Sequence, residues 1–295
     1  FYPRVYMLGR TPALLVLTFL YSSAASAAAF SGASALELTR RITAFGPHAS
    51  GSAAIARVRA FIESQARQHG WSVTEDSFTA QTPNGPVAMK NIVARLPGHT
   101  SQALVFTGHY DTRARAGFLG ANDGGSSAGF LLELARVLPS EERRNDIYLV
   151  WFDGEEAVRE WSDTDSLYGS RHLAAQWAND GTLARIKALI NVDMIGDKDL
   201  GILRDSNSSA SLTDLVWQTA EGLGYGGYFR NGETAIEDDH IPFRRAGVAA
   251  LDVIDLDFGP GNSYWHTNQD TMDKLSAHSL EVVGAVLMEA RKKLD

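Results

Sequence analysis

Apolar positions along the chain recur first with helical spacing and then with strand spacing. Ala35–Phe45 places Leu38, Ile42 and Phe45 on one face, and Ala53–His69 does the same with Ile55, Val58, Phe61 and Ile62, so both predict helices. Trp71–Thr79 and Val87–Leu96 alternate as strands do, with Pro83-Asn84-Gly85-Pro86 as the turn between them. Beyond them, short apolar runs predict strands at Ala103–Thr107, Ile147–Phe152, Leu189–Met194 and Val248–Ile254. Helical patterns at Gly129–Leu138, Ser170–Trp177, Leu212–Leu223 and Leu280–Leu294 separate or follow these strands. Continuous apolar strands alternating with helices predict an α/β fold: a single domain with a mostly parallel, mixed and twisted central sheet and helices on both faces. In such sheets ligands bind beyond the carboxyl ends of the strands.

The first residues follow a different pattern. Arg10 precedes the apolar run Ala13–Tyr21, and small residues fill Ser22–Ala29. A basic start, an apolar run too short to span a bilayer and an Ala-x-Ala site describe a secretory signal peptide. Residues 1–27 are therefore expected to be removed by cleavage after Ala27, leaving a catalytic domain over 30–295 that is secreted or periplasmic. The chain has no cysteine, so neither disulfides nor thiolate metal ligands are available. Its net charge of −8 argues against nucleic acid or anionic membrane as a partner, and no stable membrane association is expected after signal cleavage.

The strand-end rule directs attention to particular residues. Ala103–Thr107 runs into Gly108-His109-Tyr110-Asp111, and Asn122-Asp123-Gly124-Gly125 precedes the next helix. Ile147–Phe152 ends in Asp153-Gly154-Glu155-Glu156, Leu189–Val192 ends in Asp193, and a loop after Val248–Ile254 reaches Trp265-His266-Thr267. Singly, each is an ordinary turn, cap or surface residue. Five strand ends delivering His, Asp or Glu to one side of a sheet are not explained by packing. Oxygen and imidazole donors without thiolate suit zinc, and three ligands with one open position make a catalytic site. Adjacent residues at a strand end point in different directions, so of Glu155 and Glu156 one can bind metal while the other serves as acid/base. Asp111, two residues after His109, is placed to orient that imidazole.

The order His-x-Asp, Asp, Glu-Glu, Asp, His resembles the zinc aminopeptidase family, whose members include the animal-type glutaminyl cyclases. The resemblance runs from about Leu36 to the C-terminus. Asp153-Gly154-Glu155-Glu156-Ala157, Trp161-Ser162 and Asp165-Ser166-Leu167-Tyr168-Gly169-Ser170-Arg171-His172-Leu173 are similar to the cyclase signature, as is Ile236-Glu237-Asp238-Asp239-His240-Ile241-Pro242-Phe243. Trp265-His266-Thr267 matches the cyclase C-terminal site. The resemblance implies a zinc aminopeptidase-like fold with Asp123, Glu156 and His266 as ligands of one tightly bound zinc, and Glu155 as general acid/base. It implies that Trp161, Ile236 and Trp265 line the substrate pocket, with Phe258 as its further aromatic. Asp238 is implied to pair with Asp193 near the reacting amine. His109 and Asp193 occupy positions that hold a second zinc in the dinuclear aminopeptidases.

The implied reaction converts the N-terminal glutamine of peptides or proteins to pyroglutamate with loss of ammonia, a zinc-dependent acyl transfer. The alternative is a dinuclear zinc aminopeptidase that removes N-terminal residues. Three features depart from the animal cyclases: Gly124-Gly125-Ser126 after Asp123, which is aminopeptidase-like, a longer loop over 255–264, and the absence of cysteine. His48, His69, His99 and His278 fall outside every motif and read as surface residues.

Overall fold

A computed structural model of the chain describes residues 1–4 and 29–295. The apolar run Ala13–Tyr21 of the expected signal segment and its cleavage site after Ala27 lie outside the described residues. Among the described residues, no helix is long and apolar enough to cross a membrane.

In chain order the helices are α1 (Gly32–Thr43), α2 (Ala53–Gln68), α3 (Gly125–Val137), α4 (Tyr168–Asp180), α5 (Ala210–Gly222), α6 (His240–Arg245) and α7 (Ala277–Leu294). The strands are β1 (Ser72–Thr82), β2 (Gly85–Leu96), β3 (Ala103–His109), β4 (Asp146–Phe152), β5 (Ile186–Asp193), β6 (Ile202–Asp205), β7 (Phe229–Thr234) and β8 (Ala250–Ile254). Six strands form one sheet in the order β1-β2-β4-β3-β5-β8. The β1–β2 hairpin and its β2–β4 junction are antiparallel, while β4, β3, β5 and β8 are mutually parallel. The expected single α/β domain with a mixed, mostly parallel sheet is therefore the fold observed.

The two-residue period of a strand divides the core between the two faces. Leu104 and Phe106 of β3, with Ile147, Leu149 and Trp151 of β4, join the cluster built on α1, α2, α3, α5 and α7. Their neighbours Val105, Tyr148, Val150 and Phe152 join the cluster with Leu173 and Trp177 of α4 and Phe243 of α6. Each large side chain buried this way contributes roughly 1.5–3 kcal/mol. Serines cap several helices: the Ser31 hydroxyl accepts the Ser34 N–H, and that of Ser52 accepts the Ile55 N–H.

The helix expected at Gly129–Leu138 begins four residues earlier, at Gly125. Its first turn, Gly-Ser-Ser, has weak helix propensity but is wholly buried, so packing decides. Three short elements carry no periodic signal and were not expected. The parallel pair β6–β7 buries Phe229 but exposes the polar residues Arg230–Glu233, and α6 is a six-residue helix containing Pro242.

Candidate active site and metal centre

Because β4, β3, β5 and β8 are adjacent and parallel, their carboxyl ends share one edge. β3 ends at His109 and β5 at Asp193, and the loop leaving β8 returns to the same edge with His266. Asp123 arrives in the turn before α3, where Gly124 adopts φ +79°. A Cβ on Gly124 would sit 2.9 Å from His109 Cε1, so glycine permits the turn to close over the imidazole. After β4 the chain turns at Gly154, φ +77°, and delivers Glu155 and Glu156.

Two triads result, sharing Asp123. His266 Nε2 lies 3.3 Å from Asp123 Oδ2 and 3.7 Å from Glu156 Oε2. His109 Nε2 lies 3.3 Å from Asp123 Oδ1 and 3.2 Å from Asp193 Oδ1. Within each triad the potential ligand atoms all fall within 4.8 Å of one another. Asp123 Oδ2 and both carboxylate oxygens of Glu156 are buried without a hydrogen-bond partner. Orphaned carboxylate oxygens at this depth are costly unless a cation meets them. The donor set, two carboxylates and an imidazole with one side open to a cavity, fits zinc.

Burial pushes Glu155 and Glu156 well above the ordinary carboxyl range, and their mutual repulsion or that of Asp123 adds to it, against the opposing charge of His109. Burial acts against a charged His109, but Asp193, Asp111 and Asp123 outweigh it and raise that imidazole. Burial and the Asp193 charge push Asp238 up to about 6.

Beside the first triad opens a cavity of about 420 Å³ whose walls include Trp161, Ile236, Trp265, Glu155, Asp193 and Asp238. Trp161 and Trp265 are each 37% exposed, so their rings flank an open mouth and are not core aromatics. Trp265 stacks on His266, with centroids 4.1 Å apart.

Asp193 and Asp238 share the cavity and lie close enough for the Asp193 charge to raise Asp238. Asp193 Oδ1 accepts the Met194 N–H at 2.8 Å, and Asp238 Oδ2 accepts from Asn191 Nδ2 at 2.9 Å. Several expectations need correcting. Phe258 does not line the cavity. It is fully buried in a cluster with Ile236, Met194 and Ile254, and packs edge-on against Tyr264. Asp111 Oδ1 lies 3.5 Å from His109 Nδ1 without hydrogen-bonding it, and instead accepts the Glu155 N–H at 3.2 Å. His48 is not a surface residue. It is fully buried, and its backbone exchanges hydrogen bonds with Thr112 beneath the site. Asp153, the residue after β4, belongs to neither triad and is held by Ser50, Arg59 and the Lys90 N–H.

The sequence reading missed Arg113 and Asp270. The Arg113 guanidinium lies 2.8 Å from His266 Nδ1 and 3.7 Å from Glu156, and lines the cavity. Asp270, fully buried, accepts the backbone N–H groups of Asn122 and Asp123 at 2.7 and 3.1 Å, bracing one ligand from the segment that supplies another. The strand-end rule reaches Arg113, four residues beyond His109. Asp270 left no signal, because a carboxylate that accepts backbone amides looks like any loop aspartate.

The profile described as Peptidase family M28 matches residues 91–290. Glutaminyl-peptide cyclotransferase of Drosophila melanogaster is 34% identical over 252 residues, covering 76% of this chain and 70% of that protein. The crystal structure of an Acidobacteriales bacterium glutaminyl cyclase is 42% identical with a TM-score of 0.88, over 95% of this chain and 99% of that one. A leucine aminopeptidase precursor from Bacteroides thetaiotaomicron, 24% identical, has a TM-score of 0.81 over 90% of this chain and 98% of that one, and shares the fold. The chain belongs to peptidase family M28, in the branch that holds the animal-type glutaminyl cyclases.

Proposed function

We infer that this enzyme converts the N-terminal glutamine of peptides and proteins to pyroglutamate with release of ammonia. The observation that carries the reading is one cavity in which Glu155, Asp238 and two tryptophans face the Asp123–Glu156–His266 triad, in a chain 42% identical to a glutaminyl cyclase. Asp123, Glu156 and His266 would hold one zinc, which supplies a Lewis acid for the carboxamide oxygen.

The reaction is intramolecular: the substrate's α-amine attacks its own side-chain carboxamide carbon, forming the ring C–N bond as the C–NH₂ bond breaks. The chain's task is to hold the folded-back geometry. Glu155 takes the proton lost by the attacking amine and gives it to the leaving nitrogen, so ammonia departs and the carboxylate is restored. Its raised proton affinity suits it to both halves of that transfer. Asp238 accepts a hydrogen bond from the amine. Trp161, Ile236 and Trp265 form apolar walls that exclude water and so favour cyclisation over hydrolysis. Export through the N-terminal segment would place this activity outside the cytoplasm.

A second triad, His109–Asp123–Asp193, supports the alternative of a dinuclear aminopeptidase. Ammonia release separates cyclisation from simpler chemistry. A Gln-initiated peptide is expected to lose ammonia, and the same peptide acetylated at its α-amine is expected to lose none. Ammonia release from the acetylated peptide would mark a side-chain amidase and overturn the cyclase reading.

A further inference from the structure

Trp161 stands on a loop, residues 153–167, that has no regular secondary structure of its own between β4 and α4. Its neck is closed by backbone: the Leu167 N–H donates to the Glu155 carbonyl at 2.9 Å and the Tyr168 N–H to that of Gly154 at 2.7 Å. Inside the loop, one side chain gathers the donors. Asp165, 3% exposed, accepts the Val158 N–H at 2.8 Å, the Arg159 N–H at 2.9 Å and the Glu160 N–H at 3.0 Å. The Tyr168 hydroxyl donates to it at 2.8 Å. Burial favours its neutral form, but these donors outweigh burial and hold the carboxyl below its ordinary range. Three successive amides converging on one carboxylate leave residues 158–160 little freedom, and Trp161 is the next residue. Outside this loop, Arg159 Nε donates to Asn84 Oδ1 at 2.6 Å, Val158 packs against the Ala80–Met89 cluster, and the Asp163 carbonyl accepts from Arg171 at 2.8 Å.

We propose that Asp165 is the positioning residue of the substrate pocket, fixing Trp161 over the cavity by binding the three amides that precede it. The proposal rests on the reading of Trp161 as a substrate wall. Asp165 does not line the cavity, so it acts through the segment it holds, Arg159 and Glu160 and above all Trp161, which do line it. Charge-assisted bonds to amides are roughly twice as strong as neutral ones. An asparagine in its place offers one acceptor oxygen and turns an NH₂ group toward the remaining donors.

Two measurements test this, one of them independent of activity. Trypsin cleavage after Arg159 in the folded protein, followed by mass spectrometry of the fragments, reports whether the loop is held. Asp165→Asn is expected to be cut there at least about tenfold faster than wild type, with zinc content unchanged, as expected for local release of a loop. For a Gln-initiated peptide, the same variant should raise KM about tenfold while kcat changes less than about threefold. In a Trp161→Ala background the Asp165→Asn penalty on KM should vanish, because coupled positions are not additive. An unchanged cleavage rate, or a KM penalty of equal size with and without Trp161, would overturn the proposal. Should Asp165→Asn fail to fold, Tyr168→Phe removes one of the four donors, and both readouts apply to it with smaller expected effects. Absence of cyclisation by the wild type would sink the functional reading, while the cleavage at Arg159 would still decide whether Asp165 holds the loop.

Discussion

Glu155 and Glu156 are sequence neighbours with different surroundings. Glu156 offers two orphaned, buried oxygens to the triad, while Glu155 lines the cavity. Their amide variants should therefore fail differently. Glu155→Gln should keep its zinc by elemental analysis yet lose at least about a hundredfold in turnover. Glu156→Gln should lose zinc affinity as well. Near-normal turnover in Glu155→Gln would remove it from the proton-transfer role. At this scale the sequence disclosed residue types better than their partners. The sheet edge brings Asp123, Glu156 and His266 together, but nothing local said that Met194 and Asn191 would donate to Asp193 and Asp238. His48 shows the same limit: burial 63 residues before Asp111 in sequence comes from tertiary packing, not from any pattern around it.

The elements were legible where periodicity is strong. β3 and β4, buried along their whole length, read as continuous apolar runs, and α2 and α7 as amphipathic or apolar helices. The β6–β7 pair was not, because a strand reading Phe-Arg-Asn-Gly-Glu-Thr with one buried residue has no alternation to detect. Yet this pair is tied to the main sheet. Asp255, just after β8, accepts the Gly201 N–H at 2.7 Å immediately before β6, and burial together with the nearby Asp197 pushes its carboxyl up to about 7. The folded state thus holds the Asp255 proton more tightly than the unfolded chain, whose aspartates titrate near 3.9. Between those values the fold binds more protons than the unfolded chain, so this group makes stability fall as pH rises from about 4 to about 7. Asp255→Asn keeps an acceptor for Gly201 and cannot ionise. Its Tm should decline less than that of wild type between pH 5 and pH 8. Parallel declines in the two proteins would show that Asp255 is ionised in the fold at no cost.

For the whole molecule, the parallel half of the sheet gathers five acidic or imidazole side chains on one edge, and a cation there would join loops from four parts of the chain. A ligand bound only by the folded state stabilises it by mass action. Stripping the metal with a chelator is therefore expected to lower Tm and abolish cyclisation, and added zinc to restore both. An unchanged Tm in metal-free protein would argue against a structural linkage between ion and fold. Activity should rise from acid to mildly alkaline pH, since the attacking α-amine must be unprotonated and its ordinary pKa is about 7.7–8.0. The fold alone does not divide a cyclase from an aminopeptidase, as the shared architecture with a leucine aminopeptidase precursor makes plain. We propose that the division lies in Trp161, Asp238 and Trp265 and in what they hold. The most direct measurement is mass spectrometry of a Gln-initiated and a Leu-initiated peptide incubated side by side with the zinc-loaded enzyme. The account predicts that the first loses the mass of one ammonia and the second is untouched. Shortening of the Leu-initiated peptide by one residue, with no ammonia lost from the other, would contradict it.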